Sequence, residues 1–154
     1  MNACTHESTT PTRLTVAAGI VWNNERFLVA QKNKGRFKGF WEFPGGKCED
    51  GEPPLKALCR ELNEELAIVV KKALFWHVID HTYSEHNLRV SLHFFHVLSY
   101  EGHPQGNEGQ PIRWVTPSEA QALPFLAADA PILTQLAEQK KGSPNGLPPL
   151  SLRR

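Results

Sequence analysis

The sequence predicts an α+β domain, with helices packed on a mixed β-sheet. Two observations carry this expectation. Long runs of β-branched and aromatic residues occur before, between and after two helical segments, and strand and helix do not alternate in the regular βαβ order that a doubly wound fold requires. From Leu14 to Trp22 the chain is apolar and β-branched, and Asn23-Asn24-Glu25 offers a turn before Phe27-Leu28-Val29-Ala30, which predicts a hairpin. Ala73 to Tyr83 and Leu88 to Ser99, separated by Ser84-Glu85-His86-Asn87, predict a second and longer one. Ile112 to Thr116 supplies a further strand. The first helix is expected from Pro53 to Ala67, where Leu55, Leu58, Cys59, Leu62 and Leu66 repeat at helical spacing behind prolines at the permissive start. A second, Ala130 to Gln139, turns Ile132, Leu133, Leu136 and Ala137 toward the core.

Length and charge narrow the function classes. A chain of 154 residues is about one domain. The domain is expected over residues 13–139, between polar, Pro- and Gly-rich ends, 1–12 and 140–154, that cannot repay ordering entropy by burial. With 17 basic against 16 acidic residues the net charge is +1, which argues against a polyanion binder acting through bulk charge. No stable nucleic-acid complex is expected. Cys4, Cys48 and Cys59 form neither a CxxC pair nor an even set, so a reducing compartment fits. Without an apolar run of membrane length or a secretory signal, the expected location is the cytoplasm, away from membranes.

The chemistry concentrates between Gly45 and Ile68. On the first helix Glu61, Glu64 and Glu65 stand at i, i+3 and i+4, so their carboxylates share one flank. Like charges so placed repel by about 0.2–0.5 kcal/mol per pair unless a cation lies among them. Clustered oxygen donors suit a hard divalent ion such as Mg²⁺. Arg60 can fix a neighbouring carboxylate by a forked hydrogen bond. Ahead of the helix, Gly45 and Gly46 allow close backbone approach and Lys47 adds a charge suited to phosphate. Exposed helix flanks rich in Glu are commonplace, so the spacing must decide. Gly46, Glu52, Arg60, Glu61, Glu64 and Glu65 lie in a 20-residue frame whose chance occurrence is on the order of one in a hundred thousand.

This pattern resembles the Nudix box, GX5EX7REUXEEXGU with U a bulky apolar residue, departing from it at Ala67, where the family has Gly. The change is expected to alter the helix end more than the metal site. Trp41 to Lys47, Asn107-Glu108-Gly109-Gln110-Pro111 with Trp114, and Ala127 to Ile132 extend the likeness to the MutT branch of nucleoside triphosphate pyrophosphohydrolases. The resemblance implies an α/β/α sandwich around a mixed sheet and a Mg²⁺-dependent hydrolysis, with Mn²⁺ as substitute, that splits a nucleoside triphosphate into monophosphate and pyrophosphate. It implies metal ligation by Glu61, Glu64, Glu65, Glu108 and the Gly45 carbonyl. Glu61 and Glu108 are both candidates for the base, Arg60 would orient Glu61, and Glu52 would tie loop to helix. Gly46 and Lys47 would face substrate. Phe43 and Tyr83 would flank the base, with Gln31 nearby and Asp129 at its hydrogen-bonding edge.

Branch members best known for oxidised guanine nucleotides carry Asn and Arg at the positions of Asp129 and Gln31, and this chain carries neither. Both 8-oxo-dGTP and a cytosine nucleotide (CTP, dCTP or 5-methyl-dCTP) therefore stand as substrates, with a nucleotide-pool sanitising role attached to the first. The alternatives are a Nudix hydrolase of another diphosphate, an RNA 5′ end or nucleotide sugar, and a nucleotide-binding module without catalysis. The chain is expected to be a monomer or homodimer. His77 with His81 and His93 with His96 fall in expected strands, where a spacing of three sends a pair to opposite faces, so zinc is disfavoured.

Overall fold

A computed structural model describes residues 10–142. The sheet contains β1 (Thr12–Asn23), β2 (Arg26–Gln31), β3 (Trp41–Glu42), β4 (Gly45–Lys47), β5 (Val69–Tyr83), β6 (Leu88–Glu101) and β7 (Ile112–Val115). Its helices are α1 (Pro54–Leu66), α2 (Pro117–Gln121) and α3 (Ala130–Gly142), and 3₁₀ turns form at Ser84–His86 and Ala127–Asp129. The spatial order is β3-β2-β1-β6-β5, with β4 also paired to β1 and β7 to β2. β1 runs parallel to β6 and antiparallel to β2 and β4, so the sheet is mixed as expected.

Burial on both faces explains why β1 reads as a continuous apolar run rather than an alternating one. Ala17 and Val21 face α1, among Leu58, Leu62 and Leu66. Ala18, Ile20 and Trp22 face α3, among Ile132, Leu133 and Leu136. Helices therefore cover both sides, giving the α/β/α sandwich.

Both expected hairpins form, although β5 begins at Val69 rather than Ala73. The expected strand to Thr116 stops at Val115, because Thr116 caps α2: its side chain accepts from Glu119 N–H while Glu119 reaches back to the Thr116 N–H. This reciprocal capping box satisfies two otherwise orphaned donors. The apolar stripe of α1 also needs correction. Leu55 is exposed, Cys59 is half-buried, and Ala57 is buried in its place. Of the ends expected to be unstructured, Thr12 opens β1 and α3 runs to Gly142; residues 1–9 and 143–154 lie outside the described residues.

The strand histidines have partners of other kinds. His96 is buried and accepts a hydrogen bond on Nδ1 from Trp22 Nε1 at 2.9 Å, whereas His93 packs near Phe75 and His77 bonds Gln135 at 2.7 Å. No helix among the described residues is long and apolar enough to cross a membrane.

Candidate active site

The carboxylate end of the site is organised by one guanidinium. Arg60 donates from Nε to Glu52 Oε2 at 2.9 Å and from Nη2 to Glu52 Oε1 at 2.8 Å, a forked pair that locks its plane. Nη1 donates to Glu61 Oε2 at 2.8 Å, and Nη2 also reaches the Lys47 carbonyl at 3.0 Å. Glu52 in turn accepts the Glu49 N–H, and these bonds hold its carboxyl down to about 2. One arginine thus joins the loop before α1, strand β4 and the second turn of the helix. Gly46 has no alternative here: a Cβ on it would run into the Glu61 carboxylate.

Glu108 reaches the same place by a different route. The last carbonyls of α1 lack intrahelical donors, and the loop following β6 supplies them. Gln105 N–H donates to Leu66 O, Asn107 N–H to Glu65 O, Asn107 Nδ2 to Glu64 O and Gln110 Nε2 to Glu65 O, all at 3.0–3.2 Å. Gln110 Oε1 accepts the Glu108 N–H at 2.9 Å. The helix end therefore acts as the template on which Glu108 is set beside Glu65.

A cavity of about 440 Å³ begins at these groups. Glu61, Glu65, Glu108, Gly45, Gly46 and Lys47 line one end. Asp129, Tyr83, Gln31 and Phe43 line the other, as does Glu42, which the sequence reasoning passed over. Arg60, Glu52 and Glu64 do not line it. Glu64 lies beside it on the more exposed flank, with its carboxylate 3.6 Å from the same Arg60 that holds Glu61.

At the deep end Asp129 is only 2% exposed, and its Oδ2 accepts the Phe43 N–H at 3.4 Å. Burial and the nearby charge of Glu42 push its carboxyl well above the usual range. Glu42 is raised too, by desolvation, against the opposing pull of Lys32 at 3.9 Å. Tyr83 accepts the Ala128 N–H on its hydroxyl at 3.0 Å, tying β5 to the segment that carries Asp129. Gln31 donates to the Gly39 carbonyl at 3.0 Å, bracing the loop between β2 and β3. Phe43 lines the cavity but is also part of the core, its ring 3% exposed and packed against Phe27, Phe94 and Phe125.

A NUDIX domain model matches residues 12–136 of this chain. The chain belongs to the Nudix family. Among curated relatives, the 8-oxo-dGTP diphosphatase of Escherichia coli K12 is 33% identical over 126 residues, covering 80% of this chain and 96% of the relative. The CTP pyrophosphohydrolase of the same organism is 36% identical over 119 residues, covering 77% and 87%. Among solved structures, the E. coli ORF135 protein superposes with a TM-score of 0.75 at 32% identity, covering 88% of this chain and 96% of that one. A MutT structure from work on Aliivibrio salmonicida and Vibrio cholerae gives 0.67 at 33%, covering 79% and 93%.

Nudix enzymes as a family require a divalent metal, and the residues of this cavity fit one. Among the described residues no three acidic, His or Cys side chains form a ready-made cage. Glu65 is the carboxylate that a cation here would relieve most. Burial, a hydrogen bond with Glu61 and the charges of Glu61, Glu42 and Glu108 all push its carboxyl up, to about 9. A proton there offsets repulsion that a cation would relieve better. All-oxygen donors match a hard divalent ion rather than zinc.

The one departure from the Nudix box is visible at the end of α1. Ala67 adopts φ 62°, ψ 34°, the left-handed conformation that Gly takes without cost, and donates its N–H to Asn63 O. Glu65 lies two residues before Ala67 and Glu61 six. Two cavity residues had weak signals in the sequence. Glu42 stands between Trp41 and Phe43 in a short strand, where alternation opposes it to both rings. Phe37 is an aromatic in a loop of Gly and basic residues.

Proposed function

We propose that the chain is a divalent-metal-dependent nucleoside triphosphate pyrophosphohydrolase of MutT type, releasing a nucleoside monophosphate and pyrophosphate. The observation that supports this most directly is one continuous cavity with oxygen donors and Lys47 at its mouth and a buried Asp129 at its far end. Glu61, Glu64, Glu65, Glu108 and the Gly45 carbonyl would hold Mg²⁺, with Mn²⁺ able to substitute. When bound, the ion offsets phosphate charge and lowers the cost of generating a nucleophile from water. Arg60 keeps one oxygen of Glu61 occupied and so orients the other. Lys47 faces the phosphates as a mobile point charge. Glu61 or Glu108 takes the proton from the attacking water, and single Gln variants compared across pH tell them apart.

Asp129, whose burial disfavours the charged form, would give a base edge an acceptor when ionised and a donor as well when protonated. Cytosine presents an amino donor beside a ring acceptor, and an oxidised guanine also pairs donors with an acceptor, so both relatives' named substrates satisfy it. A role in cleansing the nucleotide pool, a cytoplasmic location, action as monomer or homodimer, and the absence of a stable nucleic-acid complex belong to the same reading. Pyrophosphate release with Mg²⁺ over 8-oxo-dGTP, dGTP, CTP, dCTP and 5-methyl-dCTP, with Glu61→Gln as control, tests it. Release from at least one nucleotide, abolished by EDTA and by the variant, is the expected result. Silence across the panel defeats the reading.

A further inference from the structure

Phe37 sits on the loop joining β2 to β3, the segment between Gln31 and Trp41. Gly35 and Gly39 bracket it with φ of 84° and 94°. Backbone bonds close the loop on itself: Lys32 N–H to Phe40 O and Gly39 N–H to Lys32 O at its base, Lys38 N–H to Gly35 O at its tip. From there the ring crosses to the far side of the cavity, lying 4.9 Å from the Tyr83 ring and 5.1 Å, edge-on, from His86. The loop joins β2 to β3 and the tip joins β5 to β6, so β1 lies between the two hairpins in the sheet. Phe37 is half-buried and, with Tyr83, lines the cavity. Phe43 is engaged by three core rings and has little face left to give a ligand.

We infer that Phe37, paired with Tyr83, is the aromatic surface against which the nucleobase stacks, and that it sets nucleotide affinity; this rests on the reading of the cavity as a nucleotide site. The half-buried ring lines the cavity beside Tyr83, so a base resting against it is desolvated on that side. Aromatic stacking tolerates any base because each presents a π-face, whereas Asp129 discriminates by hydrogen bonding. Affinity and selectivity are therefore carried by different residues.

The test uses the full chain and its Phe37→Ala, Phe37→Leu and Phe37→Tyr variants. For Phe37→Ala, KM for the best nucleotide is expected to rise roughly 5- to 100-fold with kcat within about twofold, the range that loss of one base–aromatic stack gives. Phe37→Tyr restores KM, Phe37→Leu does not, and inhibition by inorganic tripolyphosphate, which has no base, stays the same in all. An unchanged KM in Phe37→Ala, equal rescue by Leu and Tyr, or a parallel loss of tripolyphosphate binding overturns the assignment. If the wild type releases no pyrophosphate, the functional reading falls separately, and calorimetric nucleotide binding still decides Phe37. Equal affinity of wild type and Phe37→Ala then refutes it, as does absence of nucleotide binding by the wild type.

Discussion

At the mouth of the cavity, Glu52, Arg60, Glu61 and Glu65 come from a single short stretch, and Arg60 joins the first three by hydrogen bonds of 2.8–2.9 Å. At the deep end, Gln31, Glu42, Tyr83 and Asp129 arrive from separate strands and a 3₁₀ turn. Exposure differs as well, since Glu64 beside the mouth is about half exposed whereas Asp129 is sealed. The contrast teaches that a charge-bearing site can be written locally because a helix spaces it, while a base pocket needs the whole sheet to assemble it. On the proposed reading, chemistry common to many substrates would sit in the first region and discrimination between them in the second.

The strongest way to break this contrast is Glu61→Gln. If the mouth serves every substrate alike, kcat falls by roughly 10²- to 10⁴-fold on each active nucleotide, with their ranking preserved; a loss confined to one base would merge the two regions. Next in size is His96, which supports the deep end from behind through Trp22 and Trp76. Burial, and then the proximity of His77, lower it to about 4 from 6.5. Above pH 6.5 neither folded nor unfolded chain protonates it, so it exacts no cost. As pH falls from 6.5 to 4 only the unfolded chain gains the proton, and stability drops by about 3 kcal/mol. Urea titrations of His96→Gln over that window should show a slope shallower by this amount; an identical slope would place the acid sensitivity elsewhere.

Asp129→Asn sharpens the division from the other side. Relative kcat/KM between cytosine and oxidised guanine nucleotides should shift by roughly 5- to 100-fold, the worth of one good base contact. Uniform loss across the panel would show that Asp129 is structural, holding Phe43 in place. The smallest effect concerns neither region. Ala67→Gly relieves the left-handed strain at the end of α1 but returns entropy to the unfolded chain, for a net gain of about 0.5–1 kcal/mol with activity unchanged. A fall in melting temperature would mean that the Ala67 methyl packs usefully.

Legibility followed the same division. The helix of the box, the two hairpins and the last helix could be read because their periodicities are long and local. The two-residue β3 and the three-residue β4 could not, since strands that short carry no pattern and exist only because β1 and β2 offer them partners. Helical spacing put Glu61, Glu64 and Glu65 on one flank but could not show which of them would line the cavity. Phe43 illustrates the reverse: strand alternation says which side a ring faces, not whether three other rings already fill the space around it.

By itself the sequence determined the family, the box and its carboxylates, because their geometry follows from backbone hydrogen bonding over neighbouring residues. Tertiary structure decided where Glu108 stands, that Asp129 is desolvated beside Glu42, and that Phe37 meets Tyr83. Each of those depends on contacts between residues far apart in the chain, and the burial that tunes a carboxyl or frees a ring is a property of the packed sheet rather than of any local spacing.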